Sequence, residues 1–236
     1  MKKHTLFLLV AFLTFAMSGC GPGPGTAPTA TPAAPTPTSV PPTPTPVPPT
    51  PTPVPPAQTP TPSVKRVVLI IAHEGFADPE YTEPRAVFEA AGFEISVASS
   101  SLETATGGRG TQVQPDVLVS DVVVGDYDAV VFVGGMGCME YWDNPDAHRI
   151  AQEAVAEGKV LAAICAAPVI LARAGMLEGK QATVANSGWQ EGISELEAGG
   201  ATYTGAAVER DGLIITANGP SASRQFGETI VTVLEE

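Results

Sequence analysis

The chain has 236 residues, with 25 acidic against 12 basic side chains, a net charge of −13 and three cysteines. That balance argues against nucleic acid and against an anionic membrane surface as partners. Three cysteines are too few for a disulfide scaffold.

The chain reads as three segments. Residues 1–19 combine a basic start (Lys2, Lys3), an apolar run from Leu6 to Ala16 and a small-residue end. The run is too short to cross a bilayer and reads as a secretory signal. Met17-Ser18-Gly19-Cys20 resembles a bacterial lipobox, which makes Cys20 the lipidated N-terminus of the mature protein and its lipid the only membrane contact. A plain cleavable signal is the alternative. Residues 20–64 form a stalk. Gly21–Ser63 carries no charge and holds 18 of the 24 prolines, and Thr-Pro-Thr-Pro-Val-Pro-Pro occurs twice in succession from Thr43 to Pro56. Such a segment cannot bury apolar area and is expected as extended polyproline II, reaching up to ~130 Å. Glycosylation of its threonines stays open. Residues 65–236 are long enough for one domain with a full core, placed by the signal on the extracytoplasmic face of the membrane.

Within this domain Val67–Ala72 is a buried-type strand, followed by a loop from His73 to Pro79. Glu80–Ala91 is a helix ended by Gly92, and Phe93–Ala98 a second strand. Val113–Val124 is weakly patterned and suggests short strands. Ala129–Val133 is a third apolar strand that runs into Gly134-Gly135-Met136-Gly137. Pro145–Glu157 is a helix with Asn144 as its N-cap. A strand near Ala182–Val184, a helix from about Gln190 to Ala198, a last strand over Leu213–Thr216 and a closing helix over Ser221–Leu234 follow. Strands alternating with helices predict an α/β fold with a mainly parallel sheet covered on both faces.

The most informative stretch is Lys159–Gly175. Val160–Ile164 reads as a strand buried on both faces. Cys165 ends it, Pro168 suits a first helical turn, and Gly175 reads as the C′ residue of the helix that follows. A cysteine on so sharp a strand-to-helix turn has the geometry of a nucleophile elbow. The helix N-terminus is expected to favour the thiolate and to bring the thiol pKa below that of a free cysteine. A buried core cysteine is the alternative. In parallel sheets ligands bind at the carboxyl ends of the strands, where the His73–Glu80 loop, the Gly134–Gly137 loop and Cys165 all fall.

Ala-Ala-Ile-Cys-Ala-Ala-Pro at the elbow, Val-Phe-Val-Gly-Gly before it, Asp-Gly-Leu-Ile-Ile-Thr-Ala-Asn-Gly-Pro from Asp211 and Asp-Pro-Glu-Tyr-Thr-Glu-Pro from Asp78 together resemble the ThiJ/PfpI family over Lys65–Glu236. The resemblance implies a flavodoxin-like three-layer sandwich of the class I glutamine amidotransferase type. It matches Cys165 to the family nucleophile and Glu80 to the carboxyl group beside it. Glu80 equally suits a first-turn acid serving the helix dipole. Backbone N–H groups of Gly135 and Ala166 are the expected oxyanion donors, with Gly134, Asp78 and Trp189 as further pocket residues. Protease-like members carry histidine after the cysteine, where this chain has Ala166. Other members place one in the loop after the next strand, where Val184–Gly188 offers none. An additional family acid falls on Ala77, beside Asp78. No triad histidine is visible, so peptidase activity is not expected. No metal site or cofactor is expected either. The reading is glyoxalase- or hydrolase-type chemistry on small reactive carbonyl compounds. The alternative is a redox- or stress-sensing or binding module in which Cys165 oxidises to sulfinate. A homodimer is compatible with the resemblance.

Overall fold

The computed structural model describes residues 64–185 and 190–236. The signal, Cys20, the proline–threonine stretch and Trp189 lie outside the described residues. In chain order the elements are β1 (Arg66–Ile70), β2 (Glu74–Phe76), α1 (Asp78–Ala90), β3 (Glu94–Ser99), β4 (Ala105–Gly107), β5 (Gln112–Val113), β6 (Val117–Leu118) and β7 (Ala129–Phe132). They continue as α2 (Pro145–Ala156), β8 (Val160–Ile164), α3 (Pro168–Arg173), β9 (Gln181–Ala182), α4 (Gln190–Ala198), β10 (Thr202–Tyr203), β11 (Val208–Asp211), β12 (Ile214–Ala217) and α5 (Ser223–Glu235).

Seven strands form one sheet in the order β11-β12-β8-β7-β1-β3-β6. All neighbours are parallel except the edge pair β11–β12. The strand order reverses at β1, whose neighbours are β3 on one side and β7 on the other. At such a reversal the connections leave to opposite faces and open a crevice beyond the carboxyl ends of the strands. The period-two alternation of β1 divides the core. Val67 and Leu69 join Phe88 of α1 and Phe226 and Ile230 of α5 on one face. Val68 and Ile70 join Ile150 and Ala154 of α2 and Val169 and Ile170 of α3 on the other. Both faces of the central strands are therefore dry, as their unbroken apolar runs require. The α/β sandwich with a mainly parallel sheet expected from the sequence is the observed fold.

Several local expectations hold. β8 has the bounds read from the sequence, and Asn144 caps α2, its Oδ1 accepting from the N–H groups of Asp146 and Ala147 at 2.9 and 3.0 Å. Gly175, at φ 79°, follows α3 while the Met176 N–H closes back onto Leu171 O at 2.9 Å. Other features differ. β9 stays outside the main sheet and pairs with β10. The sheet's actual edge is β11, joined to β12 across Gly212-Leu213, with Gly212 at φ 66°. Its sequence Val-Glu-Arg-Asp carries little apolar signal because an antiparallel edge strand is covered on one side only. The first loop is also more ordered than expected, since its β2 joins β4 and β5 in a small second sheet.

Asp78 fixes that second sheet to α1. Its carboxylate accepts from the N–H groups of Arg109 at 2.8 Å and Thr111 at 2.9 Å, and Gly107 packs against the carboxyl carbon, where a Cβ would come within 2.8 Å. Asp78 therefore staples the start of α1 to the β4–β5 turn and is not offered to the site crevice, a correction to its expected place in the pocket. Burial opposes its charge, but the hydrogen bonds from Thr111 and Arg109 outweigh it and hold its pKa below the ordinary 3.8. A depressed carboxyl pKa stabilises the fold above the ordinary value and ceases to do so as the pH falls through the native one. Asp78→Ala is expected to cost about 1–3 kcal/mol near neutral pH. In thermal melts the gap from wild type should close progressively below about pH 4; a gap of equal size at pH 3 and pH 7 would contradict this role.

Candidate active site

Cys165 stands between β8 and α3 with φ 64°, the one non-glycine residue at positive φ among the described residues. Such a backbone costs of order 1–3 kcal/mol unless its surroundings enforce it. Here they do. The Cys165 N–H donates to Ala217 O of β12 at 2.8 Å, and its C=O accepts from the Ala185 N–H at 2.9 Å. The turn closes through the Ala167 N–H to Ile164 O at 3.1 Å, over buried Ala166 and Ala167 and with Pro168 opening α3. The side chain is half-buried.

Glu80, in the first turn of α1, is fully buried. It reaches Cys165 because Gly134 leaves room: a Cβ there would collide with Glu80 Oε2 and come within 2.5 Å of Cys165 Cβ and Ile164 O. Gly135, at φ 101°, is clasped by the β2–α1 connection, where a Cβ would meet Ala77 N at 2.5 Å and Gly75 O at 2.6 Å. The Ala77 N–H donates to Gly134 O at 2.9 Å and locks the two loops together. Gly219, after β12, stands on the other side of the carboxyl group, 4.0 Å from Oε1 in the direction of its missing side chain. The carboxyl ends of β7, β8 and β12 thus converge with the start of α1 on one thiol and one carboxyl group.

Burial raises the Glu80 pKa from 4.5 to about 7, against smaller lowering influences of Cys165 and the Gly134 N–H. Those two groups lie near the carboxyl, yet neither oxygen has a well-formed hydrogen bond among the described residues. Burial and then the Glu80 charge push the Cys165 thiol up to about 12, while the N–H groups of Gly135 and Ala166 draw it down. This corrects the expectation of a thiol depressed by the helix. α3 has only six residues, and beside a charged carboxylate its field is outweighed. The two groups therefore titrate as a coupled pair, in which losing the second proton is strongly disfavoured by burial and by the charge already present.

The structure brings together Cys165, Glu80, Gly134, Gly135 and Ala166, with the N–H groups of the last two near enough to the sulfur to draw its pKa down. Trp189 and Cys20 lie outside the described residues. Cys138 and Cys165 are both free thiols, and Cys138 is fully buried in the turn after Gly137, its pKa raised by burial and by the nearby Cys165 and Glu80 charges. His148 bonds the Trp142 carbonyl oxygen through Nε2 at 2.7 Å, and the His73 N–H donates to Glu140 at 3.1 Å; no histidine is a partner of Cys165 among the described residues. Nor do three metal-ligating side chains converge among them. One contributor escaped sequence reasoning. Gly219 sits in the Asn-Gly-Pro turn, whose placement at the end of β12 was a signal that was available. Trp142, an aromatic that the sequence allows either to line the pocket or to pack in the core, is buried and donates from Nε1 to Ala166 O at 3.3 Å beneath the Arg173 guanidinium, 4.9 Å from its ring.

The DJ-1/PfpI family signature matches residues 65–233. An uncharacterised protein of Methanocaldococcus jannaschii is 40% identical over 172 residues, which cover 72% of this chain and 83% of that one. A glutathione-independent glyoxalase of Caenorhabditis elegans is 26% identical over 171 residues, covering 72% and 89%. A ThiJ/PfpI domain protein from Brachyspira murdochii superposes with a TM-score of 0.69 at 34% identity, covering 73% of this chain and 97% of that structure. With the glycine-lined cysteine–glutamate pair in place at the sheet edge, these likenesses show that the chain belongs to the DJ-1/PfpI family.

Proposed function

We propose that the domain transforms small reactive carbonyl compounds, with Cys165 as nucleophile and Glu80 as its proton partner. The observation that carries this reading is the gap at Gly134, which sets a fully buried carboxyl group against a half-buried thiol. Between the two titration steps the pair holds one proton. When that proton rests on Glu80, Cys165 is a thiolate with an acid beside it, a form ready to add to a carbonyl carbon. The sulfur–carbon bond forms, the carbonyl π pair moves to oxygen, and the N–H groups of Gly135 and Ala166 meet the developing charge. A proton from Glu80 then gives the hemithioacetal.

For a 2-oxoaldehyde, the Glu80 carboxylate takes the proton from the former aldehyde carbon to give an enediol, the hydroxyl proton passes from the first oxygen to the second, and Glu80 returns its proton to the adjacent carbon, leaving a 2-hydroxy thioester. Water cleaves the thioester to a 2-hydroxy acid and restores the thiol. No external oxidant or reductant is needed. The glyoxalase name of the nematode relative supports this reading, as does the absence of a histidine partner for Cys165 among the described residues, which disfavours peptidase chemistry. Cys165→Ser should abolish turnover of methylglyoxal, and Glu80→Gln should slow it roughly 10²-fold with the fold intact. Absence of turnover in wild type, with sulfinate accumulating at Cys165 under peroxide, would replace the enzyme by a redox sensor.

The same pair makes a prediction about stability. Because the Glu80 pKa is raised in the fold, its contribution is fully present below pH 4.5 and is lost as the pH rises through about 7. At pH 8 the buried carboxylate costs on the order of 3 kcal/mol. Glu80→Gln cannot ionise, so denaturant titration should find it more stable than wild type at pH 8 and close to wild type at pH 4. A variant less stable at pH 8 would mean that the site stabilises the Glu80 charge.

The proposal extends to location: the domain is displayed outside the cytoplasm on a lipid anchor at Cys20, the only cysteine ahead of the proline–threonine stretch. Expressed in a bacterium, the full chain should incorporate labelled fatty acid and partition into detergent, and Cys20→Ala should lose the label. A soluble protein beginning at any other residue would refute the anchor.

A further inference from the structure

Glu80 and Ser223 are both fully buried, and among the described residues neither carboxyl oxygen nor the serine hydroxyl has a hydrogen-bond partner. A buried polar group left unpaired costs about 1–3 kcal/mol, so these two groups call for an account.

They do adjoin. α1 and α5 pack against each other on one face of the sheet, and Gly227 lies directly on Pro84: a Cβ at Gly227 would be 2.9 Å from Pro84 Cα and 3.2 Å from Val87 Cβ. α1 follows β1 through the short β2, and α5 follows β12. Both helices start at the same sheet edge and run parallel. One turn back toward that edge, four residues on each helix, leads from Pro84 to Glu80 and from Gly227 to Ser223. The two carboxyl oxygens are distinguishable there. Oε1 looks toward the approach to α5, 4.0 Å from the Cβ direction of Gly219, and Oε2 looks toward Gly134 and Cys165.

We propose that Ser223 is a positioning residue for Glu80, its hydroxyl donating to Oε1 through one bound water and so reserving Oε2, with the carboxylic proton, for the Cys165 sulfur. Serine suits this place because it supplies one rotatable donor with no charge of its own. The other groups facing Glu80 are Cys165 from the β8–α3 turn and Cys138 from the turn after Gly137. Asp78, on the same helix, is turned to Arg109 and Thr111, and Arg224 of α5 is exposed and paired with Glu228 at 3.0 Å. The inference rests on Glu80 being the proton partner of Cys165, but its test requires no substrate.

Infrared titration of the Glu80 carboxyl band, identified by its disappearance in Glu80→Gln, reads the contact. Ser223→Ala should raise the midpoint by on the order of one pH unit, because a donor favours the carboxylate over the acid. It should also move the C=O stretch of the protonated form to higher frequency. Ser223→Thr, which keeps the hydroxyl, should restore both. A midpoint and frequency unchanged in Ser223→Ala, whatever happens to the melting temperature, would reduce Ser223 to core packing. A wild-type C=O stretch at the position of an acid that accepts no hydrogen bond would overturn the proposal without any variant. Since turnover is not measured, loss of the carbonyl-chemistry reading leaves this outcome interpretable.

Discussion

The side chain that is missing at Gly134 is the constraint on which the site depends. β7 and β8 are adjacent parallel strands, and their carboxyl ends deliver Gly134 and Cys165 side by side. Any Cβ at Gly134 would occupy the space through which Glu80 Oε2 approaches the cysteine. The nearest obstacles include the Ile164 carbonyl, which belongs to the strand backbone and has little room to yield. Gly135 and Gly137 repeat the pattern against backbone atoms of the β2 segment, so the whole glycine loop serves as a surface on which the first loop is laid. A site of this kind is defined by close backbone approach more than by the number of functional side chains.

Close approach has an electrostatic consequence. A carboxyl group and a thiol buried together cannot both ionise without a large penalty: burial raises the Glu80 pKa, and burial together with the Glu80 charge raises that of Cys165. The surrounding structure does little to relieve this. It offers the sulfur two backbone N–H groups and offers the carboxyl no well-formed hydrogen bond among the described residues. The fold thereby keeps one proton between two atoms over a wide pH range, a state that solvent exposure of either group would dissolve. The positive φ of Cys165 fits the same economy of design, since its backbone groups are held by Ala217 and Ala185 on both sides while its side chain alone is left facing the carboxyl group.

Much of this was legible in the chain itself. Val160–Ile164 is a five-residue apolar run bounded by polar and turn residues, and it folds as the strand it spells. Asn144 before Pro145 announces a capped helix. Cys165, Glu80 and the glycine loop could be assigned to one sheet edge because parallel topology sends every strand's carboxyl end there. What the chain concealed depends on contacts between distant segments. β11 is polar and lies at an edge, and β2 and β4 are three-residue strands whose pairing is set by Asp78 and the 109–111 turn. The direction of the Cys165 shift was misread for a related reason. The helix N-terminus is local and visible in sequence, whereas the burial of Glu80 that opposes it is produced by four separate elements.

The division between visible and concealed also bears on what the fold can say about chemistry. Strand ends and glycine loops establish where a reaction can take place, and they belong to the family as a whole. The reaction itself is set by which groups can hold or release the shared proton. In this chain the residue after Cys165 is alanine, and no histidine reaches Cys165 among the described residues, so the base nearest the sulfur is a carboxyl group with a pKa close to neutrality. A base of that strength suits removal of a proton made acidic by a neighbouring carbonyl, and it is poorly matched to protonating an amine leaving group while generating its own nucleophile. On the proposed reading, small carbonyl compounds fit this pair better than peptides do, for reasons that lie in the proton and not in the fold.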